Sequence, residues 1–202
     1  MSNDIITAAI LIIGNEILSG RTQDTNVQFI GKSLVHLGIR LSEVRVVPDV
    51  ENDIIEAVNT LRWRFDYLFT TGGIGPTHDD ITTACVSKAF GVDVVRHPIA
   101  EALLLERYQP EDVNEARMKM ADVADGAKLI NNPISVAPGY QIENVFVMAG
   151  VPRIMQAMFD GIKVNLKGGK AVLSKSIEAN ITEGILAGPL GEIQDNFPDV
   201  DI

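Results

Sequence analysis

The residues best suited to chemistry lie between positions 70 and 82, where the sequence reads Thr-Thr-Gly-Gly-Ile-Gly-Pro-Thr-His-Asp-Asp-Ile-Thr. This stretch follows an apolar run at 67–69 and precedes a helical pattern, which predicts a strand, a glycine-rich turn and the start of a helix. Glycines let the backbone approach an anion closely, and the first N–H groups of a helix have no partner inside the helix. The turn is therefore suited to holding phosphate.

Two carboxylates, Asp79 and Asp80, occupy the same turn. A carboxylate and a phosphate repel each other unless a cation lies between them, so the pair predicts a phosphorylated ligand held together with Mg²⁺. The alternative is a tight connection without a ligand, in which Asp80, Asp79 or Thr77 caps the following helix. Capping and metal binding are compatible. The turn lacks the Gly-Lys-Ser/Thr of a P-loop and the Gly-x-Gly-x-x-Gly of a dinucleotide site.

Predicted strands and helices alternate along the first half of the chain. The strands are expected at 5–13, 39–47 and 65–69, and the helices at 24–37, 54–61 and 81–90. This alternation predicts an α/β fold, a doubly wound, mostly parallel sheet in a three-layer α/β/α arrangement whose ligand site lies at the carboxyl ends of the strands. Glu16 and Asp49 follow the first two strands, so we expect them to lie beside Asp80.

The second half of the chain predicts shorter elements and a separate C-terminal piece. The sequence favours a strand at 92–95, helical segments at 98–107 and 114–120, a loop at 122–126, a hairpin of 140–142 with 145–148, and a helix at 152–159. We expect one domain at 1–162, a linker at 163–170, and a small α+β appendage at 171–202 with a strand at 171–179 and a helix at 182–193. The appendage is too small to fold alone, so it docks on the first domain or begins a longer region.

Composition limits the classes of binding partner and the cellular location that we expect for the protein. The 202 residues include 17 basic and 27 acidic side chains, a net charge of −10 that opposes a nucleic-acid backbone as the main partner. The N-terminus lacks a basic signal-type region and the apolar run at 8–13 is too short to span a bilayer, so we expect a cytoplasmic protein without a membrane anchor. Cys85 is the one cysteine; it predicts a buried apolar residue rather than a nucleophile.

Several further motifs, read together with the glycine-rich turn, resemble a known family. They are Gly14-Asn15-Glu16-Ile17-Leu18-Ser19-Gly20, Asp24-Thr25-Asn26, Asn132-Pro133, Ala137-Pro138-Gly139 and Gly150-Val151-Pro152. The turn itself resembles the signature of the MoaB/Mog molybdopterin-binding fold. The whole set, from about residue 5 to 159, resembles the N-terminal domain of CinA-type competence/damage-inducible proteins. No part of the sequence resembles the C-terminal amidase domain of long CinA proteins.

The resemblance implies roles for particular residues. Asp49 and Asp80 match an acidic pair implicated in adenylyl transfer, and Glu16 matches the acidic residue of a Gly-Asp-Glu motif whose middle position is Asn15 here. These three acids are the implied catalytic and metal-binding residues. The implied ligand-binding residues are Thr71, Gly72, Gly73, Gly75, Pro76, Thr82, Gly14, Asn15, Asp24, Asn26, Pro138, Gly139, Gly150 and Pro152. Before the last helix the chain departs from the family's Pro-Gly-Val-Pro, because Ala149 takes the first position, with Arg153 and Ile154 where Ser and Glu are common.

The same resemblance implies an activity and its alternatives. The first is a pyrophosphatase that acts on ADP-ribose-like nucleotides with Mg²⁺, or with Co²⁺ or Mn²⁺. The second is adenylyl transfer to molybdopterin in molybdenum cofactor biosynthesis. The third, from a different class, is a non-catalytic sensor that binds a nucleotide or pterin phosphate. Family members associate as dimers or trimers, so a homo-oligomer is expected.

Three basic side chains near these motifs leave their roles open. Arg117 and Lys119 could reach a phosphate, or could form a solvated helix face. His78 lies in the turn and could act on a leaving oxygen, but a solvated loop histidine is the favoured interpretation.

Overall fold

The computed structural model describes residues 5–169, 175–198 and 200, which fall into two units, Met1–Val172 and Leu173–Ile202. The first unit contains all the strands of the described chain. They are β1 (Thr7–Ile13), β2 (Arg40–Val47), β3 (Tyr67–Thr71), β4 (Val94–Arg96), β5 (Asp122–Ala124), β6 (Lys128–Ile130), β7 (Gly139–Ile142) and β8 (Val145–Met148).

Eight α-helices lie between and after these strands in the described residues. They are α1 (Asn15–Leu18), α2 (Asn26–His36), α3 (Glu51–Arg64), α4 (Thr82–Phe90), α5 (Pro98–Arg107), α6 (Glu115–Met118), α7 (Pro152–Ile162) and α8 (Glu183–Asn196). Proline at the first position of α5 and α7 is favoured there because that residue needs no N–H partner. Gly91 ends α4 in the left-handed conformation, with φ of 67°.

Six strands form the central sheet in the order β2-β1-β3-β8-β7-β6. β1 pairs in parallel with β2 and β3, and β3 pairs in parallel with β8. β7 and β8 form the predicted antiparallel hairpin, and β6 pairs antiparallel with β7 at the edge. The predicted doubly wound, mostly parallel sheet is therefore confirmed.

Both faces of the sheet are covered, which explains why β1 is almost continuously apolar. Leu11 and its alternate neighbours pack with α3 and α4 on one face. Ile10 and its alternate neighbours pack with α2 and α7 on the other. Because successive side chains of a strand point to opposite faces, one apolar run serves both cores. The three-layer prediction is confirmed.

A smaller layer lies beside the sheet. β4 and β5 form a two-stranded antiparallel sheet, and α5 packs against the segment around Met118 and Ala121 through Leu104. The prediction of a loop at 122–126 was therefore wrong for Asp122–Ala124, because β4 supplies a pairing partner that is distant in sequence. A loop was also expected after the first strand, where the structure has the one-turn helix α1.

The predicted linker at 163–170 begins with a 3₁₀ turn, Lys163–Asn165, within the first unit. Its later residues are attached to that unit, because the Tyr67 hydroxyl accepts the Lys167 N–H at 2.9 Å and Gly38 accepts the Gly169 N–H at 3.2 Å.

In the second unit α8 confirms the predicted helix and extends it by a few residues, with Pro189 inside it. The expected strand at 171–179 falls partly outside the described residues, and 175–179 are not in a strand. No helix within the described ranges has the length and apolar content needed to cross a bilayer.

Candidate functional site

A cavity of about 480 Å³ lies where the carboxyl ends of β1, β3 and β8 meet. Its wall consists of segments that follow these strands, joined by residues from two more distant segments. The lining residues are Glu16, Thr22, Gly72, Gly73, Ile74, Gly75, Pro76, Asp80, Met120, Asn132, Ser135, Ala137, Ala149, Gly150, Val151, Pro152 and Ile154. The position is the one at which open α/β sheets bind ligands.

The turn after β3 requires glycine at two adjacent positions. Gly72 has φ of 103°, and a Cβ there would overlap the carbonyl oxygen of Ile13. Gly73 has φ of 68°, and a Cβ there would overlap the Thr82 hydroxyl. That hydroxyl donates to the Gly72 carbonyl at 3.0 Å, and the Thr82 N–H donates to the Gly73 carbonyl at 3.0 Å. Thr82, the buried first residue of α4, thus stabilises the turn through two hydrogen bonds.

The turn leaves backbone donors without a partner among the described residues, and their residues line the cavity. The N–H groups of Gly73, Ile74 and Gly75 make no hydrogen bond to any described residue, and all three residues line the cavity. Gly150 and Val151 lead into α7, whose first turn also faces the same space through Pro152. Consecutive free amides and a helix start are the groups with which backbones bind phosphate.

The Asp80 carboxylate is fixed by its own turn. Its Oδ2 accepts the Thr77 N–H at 2.8 Å and lies 2.5 Å from the Thr77 hydroxyl. The hydroxyl lies equally close to Oδ1 of Asp79, and this hydrogen bond lowers the pKa of Asp79 below its ordinary value. Asp80 lines the cavity, whereas Asp79 is exposed and does not. A Cβ on Gly75 would lie 2.7 Å from Asp80 Oδ2, so glycine also makes room for this carboxylate.

Glu16 lines the cavity from α1, and Asp49 accepts a hydrogen bond from the start of that helix. Asp49 Oδ2 accepts the Asn15 N–H at 2.8 Å, which satisfies a donor at the start of that one-turn helix. The Glu16 carboxylate has no hydrogen-bond or ion-pair partner among the described residues. Glu16 and Asp80 therefore share one cavity, while Asp49 contacts the turn that carries Glu16 and does not line the cavity.

Two predicted residues tie the cavity wall together without lining it. Asp24 Oδ1 accepts the Val27 N–H at 2.9 Å near the start of α2. Asn26 is 3% exposed and donates through Nδ2 to the Gly150 carbonyl at 2.9 Å. The segment after β1 is thus joined to the loop after β8.

The remaining predicted ligand residues divide between the cavity and its supports. Gly139 lies within β7, where a Cβ would overlap the Val147 carbonyl, so its glycine serves strand packing. The predicted residues that line the cavity are Glu16, Gly72, Gly73, Gly75, Pro76, Asp80, Gly150 and Pro152. Those that do not are Asp49, Thr71, Thr82, Gly14, Asn15, Asp24, Asn26, Pro138 and Gly139.

Asn132, which lines the cavity, was missing from the predicted site residues. It is 2% exposed; its Oδ1 accepts the Ile134 and Ser135 N–H groups at 3.0 and 3.2 Å, and its Nδ2 donates to the Ala137 carbonyl at 2.7 Å. The segment it holds includes Val136 with φ of 62°, a strained value for a β-branched residue. The Asn-Pro dipeptide was the available sequence signal.

Within the described ranges, no group of three or more His, Cys, Asp or Glu is placed to hold a metal ion, so the prediction of a three-acid metal site stays a prediction. The donor set of the cavity nevertheless fits Mg²⁺, which is commonly held by one or two carboxylates together with substrate phosphate oxygens. Glu16 and Asp80 would supply those carboxylates. Cys85 is buried on α4, and burial raises the pKa of its thiol to about 11, so it takes no part in this chemistry at neutral pH.

The fold is that of an α/β protein with a cavity at the carboxyl ends of a mostly parallel sheet. Residues 9–167 match the family described as a probable molybdopterin binding domain. The chain belongs to this family, and the predicted MoaB/Mog-type resemblance is confirmed.

Individual relatives support the same family and fold. The crystal structure of the protein CinA with unknown function from Thermoplasma acidophilum is 33% identical, with a TM-score of 0.75, covering 81% of this chain and 99% of that one. A curated protein of Pyrobaculum calidifontis is 40% identical over 161 residues, 77% of this chain and 62% of its own length. The first five curated relatives are spanned over 59% to 64% of their lengths. The molybdopterin biosynthesis enzyme MoaB of Thermus thermophilus, at 16% identity and a TM-score of 0.52 over 80% of this chain and 91% of its own, shares the fold.

Proposed function

We propose that the protein hydrolyses the pyrophosphate linkage of an ADP-ribose-like nucleotide with the help of a divalent cation. One observation carries this proposal. Two carboxylates, Glu16 and Asp80, share the lining of one cavity with three residues whose backbone N–H groups have no partner among the described residues, and no Lys, Arg or His of the described residues lines it. The volume of about 480 Å³ is within the usual range for small-molecule sites.

The charge of the lining selects the kind of ligand. Backbone N–H groups at a glycine-rich turn favour phosphoryl oxygens. Carboxylates in the same cavity would repel those oxygens unless a cation compensates. When bound, Mg²⁺ would offset the charge that develops on the phosphoryl oxygens. A pyrophosphate diester fits both halves of the lining, because the amides could donate hydrogen bonds to its oxygens and Glu16 and Asp80 would hold the cation that offsets its charge.

The residues of this chain then have distinct tasks. The amides of Gly73, Ile74 and Gly75 hold and orient the phosphoryl group. A water oxygen forms a new bond to phosphorus, the bond to the bridging oxygen breaks, and AMP and the sugar phosphate separate with that oxygen on the leaving phosphate. Glu16, whose carboxylate has no hydrogen-bond or ion-pair partner among the described residues, would hold the cation through one oxygen and is available to accept the proton of the water through the other.

The test is product formation by the purified protein. With ADP-ribose and Mg²⁺, Mn²⁺ or Co²⁺, we expect AMP in chromatographic assays, and Asp80→Ala abolishes its release. Asp93→Ala is the matched control, because Asp93 is an exposed acid away from the cavity lining. Absence of AMP from ADP-ribose, NADH and FAD with all three metals would refute the proposal.

A second candidate follows from the family description, since residues 9–167 match a probable molybdopterin binding domain. In that case the same amides hold the phosphate of a pterin, and the reaction is adenylyl transfer from ATP. Complementation of a strain that lacks the adenylyltransferase separates the two, because a hydrolase fails to complement. Calorimetric affinity for nucleotide without product would instead indicate a binding module.

A further inference from the structure

We propose that Lys119 is a positioning residue for the reaction proposed above, acting through the turn that carries Asp80. Its ammonium group donates to the Thr77 carbonyl at 2.9 Å. Lys119 precedes Met120 and lies far in sequence from this turn. The inference rests on the proposed function for its catalytic consequence, but its structural half can be tested without a substrate.

Thr77 connects Lys119 to Asp80. The carbonyl of Thr77 accepts from Lys119, while its N–H and hydroxyl contact the Asp80 carboxylate at 2.8 and 2.5 Å. Thr77 therefore accepts a hydrogen bond from Lys119 and donates one to the Asp80 carboxylate. If the lysine contact is lost, the exposed Thr77 can move, and the carboxylate loses its fixed donors.

Buried residues and a hydrogen bond hold the backbone on both sides of Lys119. Met118 before it and Ala121 after it are buried in the small core beneath α5. The Ala121 carbonyl accepts the His97 N–H at 2.9 Å. Because Met120 lines the main cavity, the same short 3₁₀ turn, Lys119–Ala121, contacts both the cavity and the loop beside it.

The turn that carries Asp80 lines two neighbouring cavities. A cavity of about 110 Å³, lined in part by Lys119 and Asp122, shares Ile74, Gly75 and Asp80 with the main cavity. Among the described residues, Lys119 is the one basic side chain that lines either space. Lys119 therefore lines the smaller cavity and not the main one, so it stabilises the turn without occupying the volume needed by the phosphate.

The structural half is tested by hydrogen exchange of the ligand-free protein. Lys119→Met should speed exchange of the Thr77 amide about tenfold or more, because local opening is no longer opposed by a charged hydrogen bond. Lys119→Arg, which keeps the charge, should restore most of the protection. Lys128→Met is the control, since Lys128 is an exposed lysine remote from both spaces. Unchanged exchange at Thr77 in Lys119→Met would overturn the inference whatever the protein hydrolyses.

The catalytic half is tested by kinetics with ADP-ribose and Mg²⁺. Lys119→Met should lower kcat roughly 10- to 100-fold with a smaller change in KM, because a small misplacement of a catalytic group costs this much. In an Asp80→Asn background the same change should have less than about a twofold further effect, since both act through one carboxylate. An undiminished loss in that background would mean direct contact with substrate and would overturn the positioning role.

The two halves also separate this inference from the proposed function. If the wild-type protein releases no AMP while Lys119→Met still loosens the Thr77 amide, the pyrophosphatase proposal fails and the positioning of the Asp80 turn by Lys119 holds. If AMP is released and Lys119→Met changes neither exchange nor kcat, the reverse is true.

Discussion

Two cavities beside the central sheet differ in chemistry more than in size. The one at the carboxyl ends has about 480 Å³ and carries Glu16 and Asp80. The other has about 580 Å³, is lined in part by Tyr67 at the start of β3 and carries Lys128 and Lys167, and no Asp or Glu of the described residues lines it.

The larger cavity is not the better candidate. Its wall combines the edge strand β6 with single residues of β3, β7 and β8 and the segment from the end of α7 to Lys167, and its lysines are exposed. The smaller cavity is built from glycines with positive φ, free amides and a carboxylate held by two donors. Strained or unpaired groups persist only where the surrounding structure holds them, and they concentrate at functional sites. Strained and unpaired groups in the lining of a cavity therefore indicate a functional site better than the volume of the cavity does.

The largest expected effect is on the acid of the first cavity. Asp80→Asn should lower kcat for AMP release by about 10²- to 10³-fold, because it removes charge from a preorganised site. Asp93→Asn, with the same change at an exposed position outside the cavity lining, should leave kcat within about twofold. Equal kcat in Asp80→Asn and the wild type would place the chemistry elsewhere and would break the distinction between the cavities.

The glycine turn is expected to show its strain in stability. Gly72→Ala combines φ of 103° with overlap on the Ile13 carbonyl, and it should lower the free energy of unfolding by about 3 kcal/mol or more. Gly126→Ala is the matched control, because φ is 78° there but nothing lies within 4 Å of the added Cβ. It should cost about 1 kcal/mol in urea unfolding. Equal losses in the two variants would show that φ alone matters.

The sequence predicted the sheet and the loop for one physical reason. A strand covered on both faces must be continuously apolar, and its carboxyl end must turn toward the ligand edge. Glu16, Gly72 and Asp80 follow directly from strand ends, so their convergence could be predicted from order alone. Thr71 and Thr82 belong to the same motif, but the structure gives them buried supporting positions, with the Thr82 hydroxyl on the Gly72 carbonyl.

The remaining features depend on contacts that have no local signal. Asp49 follows its strand as Glu16 does, yet its carboxylate accepts the Asn15 N–H, and that choice depends on side-chain geometry. Met120 reaches the cavity from a segment whose path is set by packing beneath α5. Asp122–Ala124 becomes a strand because Val94–Arg96 lies beside it. In each case a partner distant in sequence determines the outcome.

Asp49 is expected to have a smaller effect than Asp80, because it supports α1 and does not line the cavity. Asp49→Ala leaves the Asn15 N–H without its acceptor and should cost about 1 kcal/mol, as the loss of a helix cap does. The activity should fall about tenfold as Glu16 becomes less ordered. Unfolding and AMP release would be measured together. A loss as large as that of Asp80→Asn would instead give Asp49 a direct catalytic role.

The smallest effect is expected at the second cavity, and it is the sharpest test of the comparison. Lys128 and Lys167 have side chains without an ion pair among the described residues, so replacing both with Met removes no charge-assisted contact. AMP release and unfolding free energy should stay within about twofold and 0.5 kcal/mol of the wild-type values. Because neither lysine lines the cavity that carries Asp80, a loss of activity in this variant would mean that the two cavities are coupled through the sheet.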